Sequence, residues 1–364
     1  MKKLSIRLVG KGLGKFLSYK RLVEISSKLN FPLAPPLTAE VKVTSRCNLK
    51  CRYCNIWKYQ DKFRDLSVEQ QAKIIISLRN LGVRIVTITG GEPLLYVNLE
   101  EIITLVKKYH MRAHVITNGI LLTNNKIVKL VKAGTDSIIL SLDTLDPELY
   151  EYLTGASFKF MEQALESLLY IKKKYQDIDV AVNYVINRYN IGEIASFAKR
   201  ITDYGKGRIL INFQPYQRFP RKSNDDLAPF KEMYSVLVRE IETLIEMKKQ
   251  GFPITDSVVF LKRIPSFLIG NKMPKNFKCK AGYVGVYICD NREVRPCYQL
   301  PPIGDLREKS LEDIWFSDEF RRQRVKMKDG KCPGCLLLCH NDESWYNWYD
   351  MVDKSFRGGK NGGN

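Results

Sequence analysis

The chain contains 364 residues, of which 45% are hydrophobic and 27% are charged, a composition typical of a globular protein with a sizeable core. No apolar stretch is long enough to cross a membrane, and the basic N-terminus lacks the apolar run and cleavage site of a signal peptide, so we expect a cytoplasmic protein. Lys and Arg outnumber Asp and Glu by 59 to 39, and this net charge of +20 favours an anionic partner or surface, although solvated helix surfaces explain it equally well. No nucleic-acid-binding motif accompanies the charge, so nucleic acid is not an expected partner.

The first 37 residues form a predicted basic extension. Up to Arg21 they carry seven basic and no acidic side chains. A helix is predicted around Leu22, Ile25 and Leu29, and a proline-rich linker follows at 30–36. The basic and partly amphipathic character of this extension is compatible with peripheral membrane contact, or with a phosphorylated or lipid substrate.

Residues 38–230 alternate short β-branched runs with segments of helical periodicity. Alternation of this length builds a parallel sheet through right-handed crossovers, so we predict an α/β fold. Six such units fall short of the eight that close a full barrel, and the predicted architecture is therefore a partial (β/α)6 TIM-like barrel. The six predicted strands are Ala39–Thr44, Arg84–Thr89, Ala113–Thr117, Ser137–Leu142, Val180–Ile186 and Ile209–Gln214.

The pattern changes near residue 230. A long helix is predicted from Asn224 to Gly251, followed by a connector, so residues 231–275 are expected to form a helical connector. Residues 276–350 are rich in cysteine and short in their elements, which predicts a small C-terminal domain. Residues 351–364 are glycine-rich and are expected to be a flexible tail.

Three cysteines directly follow the first predicted strand. Cys47, Cys51 and Cys54 have the spacing C-x3-C-x2-C. In a reducing compartment, clustered cysteines indicate metal or cluster ligation rather than disulfides. Three thiolates on one loop can hold three irons of a cubane cluster and leave the fourth iron open, as a catalytic metal centre requires. A zinc site lacking its fourth ligand is the alternative, but zinc loops usually pair C-x2-C with a second pair elsewhere.

This motif resembles the signature of the radical S-adenosylmethionine (SAM) superfamily, C-x3-C-x-aromatic-C, with Tyr53 as the aromatic residue. The resemblance covers about residues 38–215. It implies a 4Fe–4S cluster whose open iron chelates SAM, and an electron that cleaves SAM to a 5′-deoxyadenosyl radical, which removes hydrogen from a substrate carbon. An electron donor such as flavodoxin or ferredoxin is then an expected partner.

Polar residues also end the next predicted strands, where barrel active sites collect. Gly90, Gly91 and Glu92 resemble the family's GGE motif, which implies that they hold the amino group of the methionine part of SAM. By the same resemblance, further cofactor contacts are expected on the third, fourth and fifth strands. These positions are Thr117 and Asn118 near the cofactor, Ser141 and Asp143 near its ribose, and Asn183 facing inward.

Six more cysteines lie in the C-terminal region. A predicted hairpin at 291–297 carries Cys297 toward Cys279, and Cys332 with Cys335 forms a C-x2-C knuckle. Two ligands from a hairpin and two from a knuckle suit either tetrahedral zinc or a fully ligated 4Fe–4S cluster.

The C-terminal pattern resembles the SPASM and twitch modules, which carry auxiliary clusters in some radical SAM enzymes. It departs from the full SPASM pattern because Arg292 occupies the usual glycine position and because the knuckle runs C-x2-C-x3-C. Six cysteines cannot supply two four-cysteine clusters, so the resemblance implies one auxiliary 4Fe–4S cluster. Its expected ligands are Cys279, Cys297, Cys332 and Cys335, with Cys339 as an alternative to Cys335 and Cys289 left over.

Together the motifs predict an enzyme that abstracts hydrogen from carbon, either as an oxidoreductase or to form a new bond. The expected substrate is a small molecule, cofactor precursor or lipid. The segment before the barrel is too short, and too interrupted by glycines, for the expected leader-peptide-binding module. A peptide-modifying (RiPP-type) enzyme is the alternative. A non-catalytic iron–sulfur or zinc protein is the alternative from another class, and the GGE motif disfavours it.

Overall fold

The computed structural model describes residues 19–59, 65–217, 226–270, 277–332 and 334–337. Helix α1 (Tyr19–Leu29) precedes six parallel strands that alternate with helices. The strands are β1 Thr38–Thr44, β2 Ile85–Gly90, β3 Arg112–Thr117, β4 Ser137–Ser141, β5 Asp179–Ile186 and β6 Leu210–Pro215. The helices are α2 Val68–Leu81, α3 Leu99–Lys108, α4 Asn124–Ala133, α5 Pro147–Thr154, α6 Lys159–Lys174 and α7 Ile194–Gly205.

Each barrel strand presents one face to the helices and the other to the interior of the barrel. On β1, Ala39, Val41 and Val43 are buried in the main apolar core, which also contains the inward faces of the helices. Because side chains alternate along a strand, Glu40 and Lys42 face the barrel interior. The strand order β6-β5-β4-β3-β2-β1 is that of a parallel sheet built from consecutive units. The predicted partial (β/α)6 barrel is confirmed, with every strand within one residue of its predicted ends.

The C-terminal segment extends the same sheet. Two long helices, α8 (Tyr234–Lys249) and α9 (Val258–Gly270), lead to the short helix α10 (Ala281–Val284) and to strand β7 (Gly285–Ile288), which pairs in parallel with β1. Strands β8 (Glu293–Arg295) and β9 (Gly304–Asp305) then add in antiparallel fashion, before helices α11 (Leu311–Trp315) and α12 (Asp318–Lys328). The cysteine-rich region is therefore joined to the barrel by backbone hydrogen bonds.

The turn between β7 and β8 explains one departure from the SPASM pattern. Arg292 lies in this turn with a φ of +71°, in the left-handed region that favours glycine. Arg292 N donates to Cys289 O at 2.9 Å, and the Asn291 side chain accepts from Glu293 N at 3.2 Å. The turn thus keeps the glycine-type backbone although the residue is arginine.

The helix predicted from Asn224 begins later than expected. Residues 226–230 are irregular, a single 3-10 turn covers Lys231–Met233, and α8 starts at Tyr234. Pro229 explains the delay, because a proline disfavours helical geometry at the residue before it. The connector predicted after Gly251 contains α9.

Some predictions fall outside the described residues, namely most of the basic extension, Cys339 and the tail at 351–364. Within the part of the chain that the structure describes, no helix is long and apolar enough to span a membrane. The domain boundaries stay predictions.

Candidate functional site

The candidate site lies at the carboxyl ends of the parallel strands. The loop that follows β1, here called the cluster loop (residues 45–58), carries Cys47, Cys51 and Cys54. None of the three cysteines forms a disulfide, and all three are half-buried. Leu49 N donates to Cys47 Sγ at 3.4 Å, and Cys54 N donates to Cys51 O at 3.1 Å, so the loop folds back on itself around the thiols.

The three thiols lie close enough to influence one another. The pKa of Cys51 is raised, and burial is the largest cause. The charges of Cys54 and Cys47 raise this pKa further. Among the described residues, no three His, Cys, Asp or Glu side chains are close enough to hold a single metal ion. Three thiols that share one loop can hold three irons of a cubane cluster, which spaces its ligands around a cube.

The Gly90–Gly91 turn packs directly on the cluster loop. Gly91 N donates to Thr44 O at 2.8 Å, and Glu92 N donates to Arg46 O at 2.7 Å. A Cβ atom at Gly90 would overlap Thr44 O, and one at Gly91 would overlap Arg46 O. The glycines therefore allow two backbones to meet, and this contact holds the cluster loop in place.

Glu92 joins three elements through its buried carboxylate. It is 1% exposed, and its oxygens accept hydrogen bonds from Leu94 N at 3.0 Å, Thr117 Oγ1 at 2.7 Å and Asn118 N at 2.8 Å. Burial raises the pKa of Glu92, and the hydrogen bonds from Asn118, Leu94 and Thr117 lower it. The structure thus gives Glu92 a structural role, and contact with the methionine amino group stays a prediction.

Asn118 links the end of β3 to the cluster loop. Its Nδ2 donates to Asn48 Oδ1 at 2.8 Å, while its Oδ1 accepts from Ile120 N at 3.1 Å. Its side chain also lies near Cys47, where a hydrogen bond lowers the pKa of that thiol against the larger effect of burial. Asn48 is a contact that the sequence patterns did not single out.

Tyr53 and Asp143 connect the cluster loop to the fourth unit. Asp143 is 5% exposed, and its Oδ1 accepts from Val185 N at 2.8 Å. Burial raises the pKa of Asp143 to about 6, although the hydroxyl of Tyr53 and the Val185 amide lower it. The predicted aromatic residue of the motif therefore faces the predicted ribose-side carboxyl.

Ser141 and Asn183 are neighbours across β4 and β5, as their register pairing shows. Asn183 Oδ1 accepts from Asn212 Nδ2 at 2.7 Å, which ties β5 to β6 on the inner face of the sheet. The structure thus brings the predicted positions of strands two to five to one end of the barrel. Their contacts with the cofactor stay predictions.

A charged pair on the inner wall was missed from the sequence. Lys42 Nζ lies 3.3 Å from Asp290 Oδ1, and Ser45 Oγ donates to the other oxygen of the same carboxylate. Asp290 is 4% exposed and follows β7, so the pair joins the barrel to the C-terminal region beside the cluster loop. Cys289 belongs to this group, since its electrostatic neighbours are Arg295, Glu293, Lys42 and Asp290. No local sequence motif predicts the Lys42–Asp290 pair, because the two residues are far apart in the sequence.

Three of the predicted C-terminal ligands come together. Cys279 and Cys297 pack with Ala281, Leu300 and Met327 in a small apolar cluster, and Cys332 lies against it. Burial raises the pKa of Cys279 to about 12, and the charges of Cys297 and Cys332 contribute. Cys335 is half-buried. Ligation by Cys335, and its exchange with Cys339, stay predictions.

The fold and the site are those of an iron–sulfur enzyme that combines a partial barrel with a cysteine-rich C-terminal module. Residues 41–214 match the radical SAM superfamily, and residues 279–339 match the SPASM iron–sulfur cluster-binding domain. The chain belongs to the radical SAM superfamily and carries a SPASM-type C-terminal domain. Its cofactors are a 4Fe–4S cluster, SAM and auxiliary iron–sulfur centres.

Known proteins are similar over most of the chain. PqqA peptide cyclase of Granulibacter bethesdensis is 28% identical over 291 residues, which cover 78% of this chain and 74% of that protein. The antilisterial bacteriocin subtilosin biosynthesis protein AlbA of Bacillus subtilis is 25% identical over 359 residues, covering 90% of this chain and 72% of that protein. The structure of Streptococcus suis SuiB bound to precursor peptide SuiA is 20% identical, the match covers 88% of this chain and 74% of that one, and the TM-score is 0.63. This last likeness shows the shared fold.

Proposed function

We propose that the protein is a peptide-modifying radical SAM enzyme that forms a new bond within a precursor peptide. The observation that carries this proposal is the similarity to PqqA peptide cyclase, which spans 78% of the chain. The similarity to AlbA, named for biosynthesis of the bacteriocin subtilosin, supports it. These relatives favour the peptide alternative over the small-molecule, cofactor-precursor or lipid substrate expected from the sequence. A cytoplasmic location stays a prediction from the sequence.

The cluster and SAM, when bound, supply the carbon radical that removes a hydrogen from the substrate. Cys47, Cys51 and Cys54 would hold that cluster, and the Glu92 network fixes the loop that carries them. The inner wall of the barrel, with Lys42 and Asp290, faces the space in which a substrate side chain would sit. A rigid, preformed wall favours one orientation of that side chain over others.

The direct test uses anaerobically reconstituted protein with SAM, dithionite and each short peptide encoded beside its gene. We expect 5′-deoxyadenosine, together with one peptide whose mass falls by two hydrogen atoms as a bond closes. One hydrogen atom would leave in 5′-deoxyadenosine, and the other would leave as a proton while its electron passes to an iron–sulfur centre of the chain. Liquid chromatography with mass spectrometry measures both products. Cys51→Ala serves as the control and is expected to yield neither, because it removes one of three cluster ligands.

Two outcomes would contradict the proposal in different ways. Formation of 5′-deoxyadenosine without any change in a peptide would argue for a different substrate class. Absence of 5′-deoxyadenosine would support the non-catalytic alternative. Metal analysis adds an independent measure, since about eight irons per chain indicate two cubane clusters, whereas about four irons with one zinc indicate a zinc site at the C-terminal cysteines.

A further inference from the structure

The outer surface of the cluster loop is basic. Residues 45–58 contain four basic and no acidic side chains. Arg46 is engaged locally, because its guanidinium lies 2.5 Å from Asp65 Oδ2 and donates to Leu95 O at 2.9 Å. Lys50, Arg52 and Lys58 are exposed, and these three residues are here called the basic patch.

Two residues of the basic patch flank one indole ring. Lys50 Nζ lies 6.0 Å and Lys58 Nζ 5.3 Å from the centre of the Trp57 ring. Trp57 Nε1 donates to Cys51 O at 3.4 Å. The half-buried indole therefore connects this charged surface to the backbone of a predicted cluster ligand.

Arg52 is held in a fixed position on the same loop. Its Nε donates to Tyr152 O at 2.9 Å, and its guanidinium lies 3.9 Å from the centre of the Tyr152 ring. Its Nη1 also forms a long, exposed ion pair with Asp226 Oδ2 at 3.9 Å, which offsets little of the charge because water screens it. Stacking orders the side chain without neutralising its charge, so Arg52 presents a preorganised cation one residue from Cys51.

We propose that the basic patch is the docking surface for an acidic one-electron carrier protein. Consecutive Cα atoms are about 3.8 Å apart, so a protein bound to the patch lies within one or two residues of the thiols at Cys51 and Cys54. Opposite charge steers such a partner to this surface, and the net charge of +20 extends the attraction over a longer range. The inner wall is left to the substrate. In the transfer, the carrier is oxidised by one electron and the cluster held by the loop is reduced by one, with no proton or group exchanged.

The first test measures binding without any turnover. Oxidised flavodoxin, an acidic flavoprotein, is titrated without SAM against the cluster-reconstituted protein and against its variant Lys50→Gln/Arg52→Gln/Lys58→Gln. We expect the variant to bind about tenfold more weakly at low salt, with the difference shrinking as the salt concentration rises. The matched control, Lys108→Gln/Lys132→Gln/Lys173→Gln, removes three exposed charges from the last turns of α3, α4 and α6, at the opposite end of the barrel, and is expected to bind like the parent.

The second test measures reduction of the cluster by its loss of visible absorbance, with no substrate present. Flavodoxin is expected to reduce the patch variant about tenfold more slowly than the parent, while dithionite reduces both at rates within about twofold. Lys50→Gln/Lys58→Gln is a second variant that keeps the Arg52 contacts with Tyr152, and it is expected to show a smaller loss in the same direction.

Three results would overturn the proposal. If the patch variant binds flavodoxin as tightly as the parent does, and flavodoxin reduces both at the same rate, the patch has no docking role. Equal slowing with flavodoxin and dithionite would show that the patch tunes the cluster rather than binding a carrier. An acidic peptide titrated in parallel gives the third result: if it binds the patch variant more weakly while flavodoxin binding is unchanged, the patch belongs to the substrate. The proposal rests on membership of the radical SAM superfamily. Neither measurement uses a substrate, so both can still be interpreted if the protein modifies no peptide.

Discussion

At the residue scale, the inner wall of the barrel holds charge where most barrel cores hold apolar side chains. Glu40 on β1 lies between Thr87 on β2 and Tyr287 on β7 in the strand register. Burial raises the pKa of its carboxyl from the usual 4.5 to about 7. Because the folded state keeps this proton while the unfolded state releases it, folding becomes less favourable as the pH rises from about 4.5 to about 7.

Glu40→Gln should therefore stabilise the protein in a pH-dependent way. A neutral amide of the same size avoids the cost of ionising a carboxyl in the barrel, so we expect the variant to gain about 2 kcal/mol in the free energy of unfolding at pH 8 and almost nothing at pH 4. Urea unfolding at both pH values measures the difference. Glu166→Gln, at an exposed position of α6, is the control and should show no such pH dependence. An equal effect of Glu40→Gln at both pH values would contradict the assigned cause.

Arg292 offers a second prediction at a single residue. A side chain at φ +71° is strained, and glycine relieves this strain at some entropic cost, so Arg292→Gly should stabilise the protein by about 1 kcal/mol. Lys309→Gly, at an exposed position without a positive φ, is expected to destabilise slightly. The midpoint of thermal unfolding compares the two variants. A lower midpoint for Arg292→Gly would show that the arginine side chain contributes more than its backbone costs.

At the scale of elements, local signals position the helices around the site. Helix α2 follows the cluster loop and begins with a capping box, in which the Ser67 side chain accepts from Gln70 N and the Gln70 side chain accepts from Ser67 N. The helix ends at Gly82, whose φ of +100° closes it. Its buried residues pack into the main core, so the helix anchors one side of the loop.

Removal of this cap should weaken the helix measurably. Ser67→Ala is expected to lower the free energy of unfolding by about 1 kcal/mol, because it leaves a backbone N–H at the helix start without its acceptor. Ser77→Ala changes the same residue type within the same helix, where the hydroxyl only donates to Lys73 O at 2.8 Å, and should be neutral or slightly stabilising. Chemical denaturation of the two variants in parallel checks this, and similar losses would argue against the cap.

At the scale of the whole molecule, one continuous sheet joins the barrel and the cysteine-rich region. Strand β7 pairs with β1, and Leu336, which is fully buried, exchanges backbone hydrogen bonds with the side chain of Gln217 just after β6. The Lys42–Asp290 pair adds a buried contact between the same two regions. The C-terminal region therefore touches the barrel at both of its open edges.

We expect the cluster-free chain to unfold in one cooperative transition, because separating the two regions would break the β1–β7 ladder and expose buried side chains. Differential scanning calorimetry tests this by comparing the calorimetric enthalpy with the van't Hoff enthalpy, which should agree. Two resolved transitions would instead support independent domains divided near residue 230.

The sequence by itself determined the alternation of strands and helices, the cysteine spacing of the cluster loop and the family to which these belong. Those features depend on hydrophobic periodicity and on residues a few positions apart, so each run of sequence carries its own signal. Only the tertiary structure decided that β7 pairs with β1, that Glu92 holds Thr117 and Asn118, and that Ser45 meets Asp290 across 245 residues. Such contacts arise when packing brings together side chains that no local pattern relates, because burial and pairing depend on the whole fold.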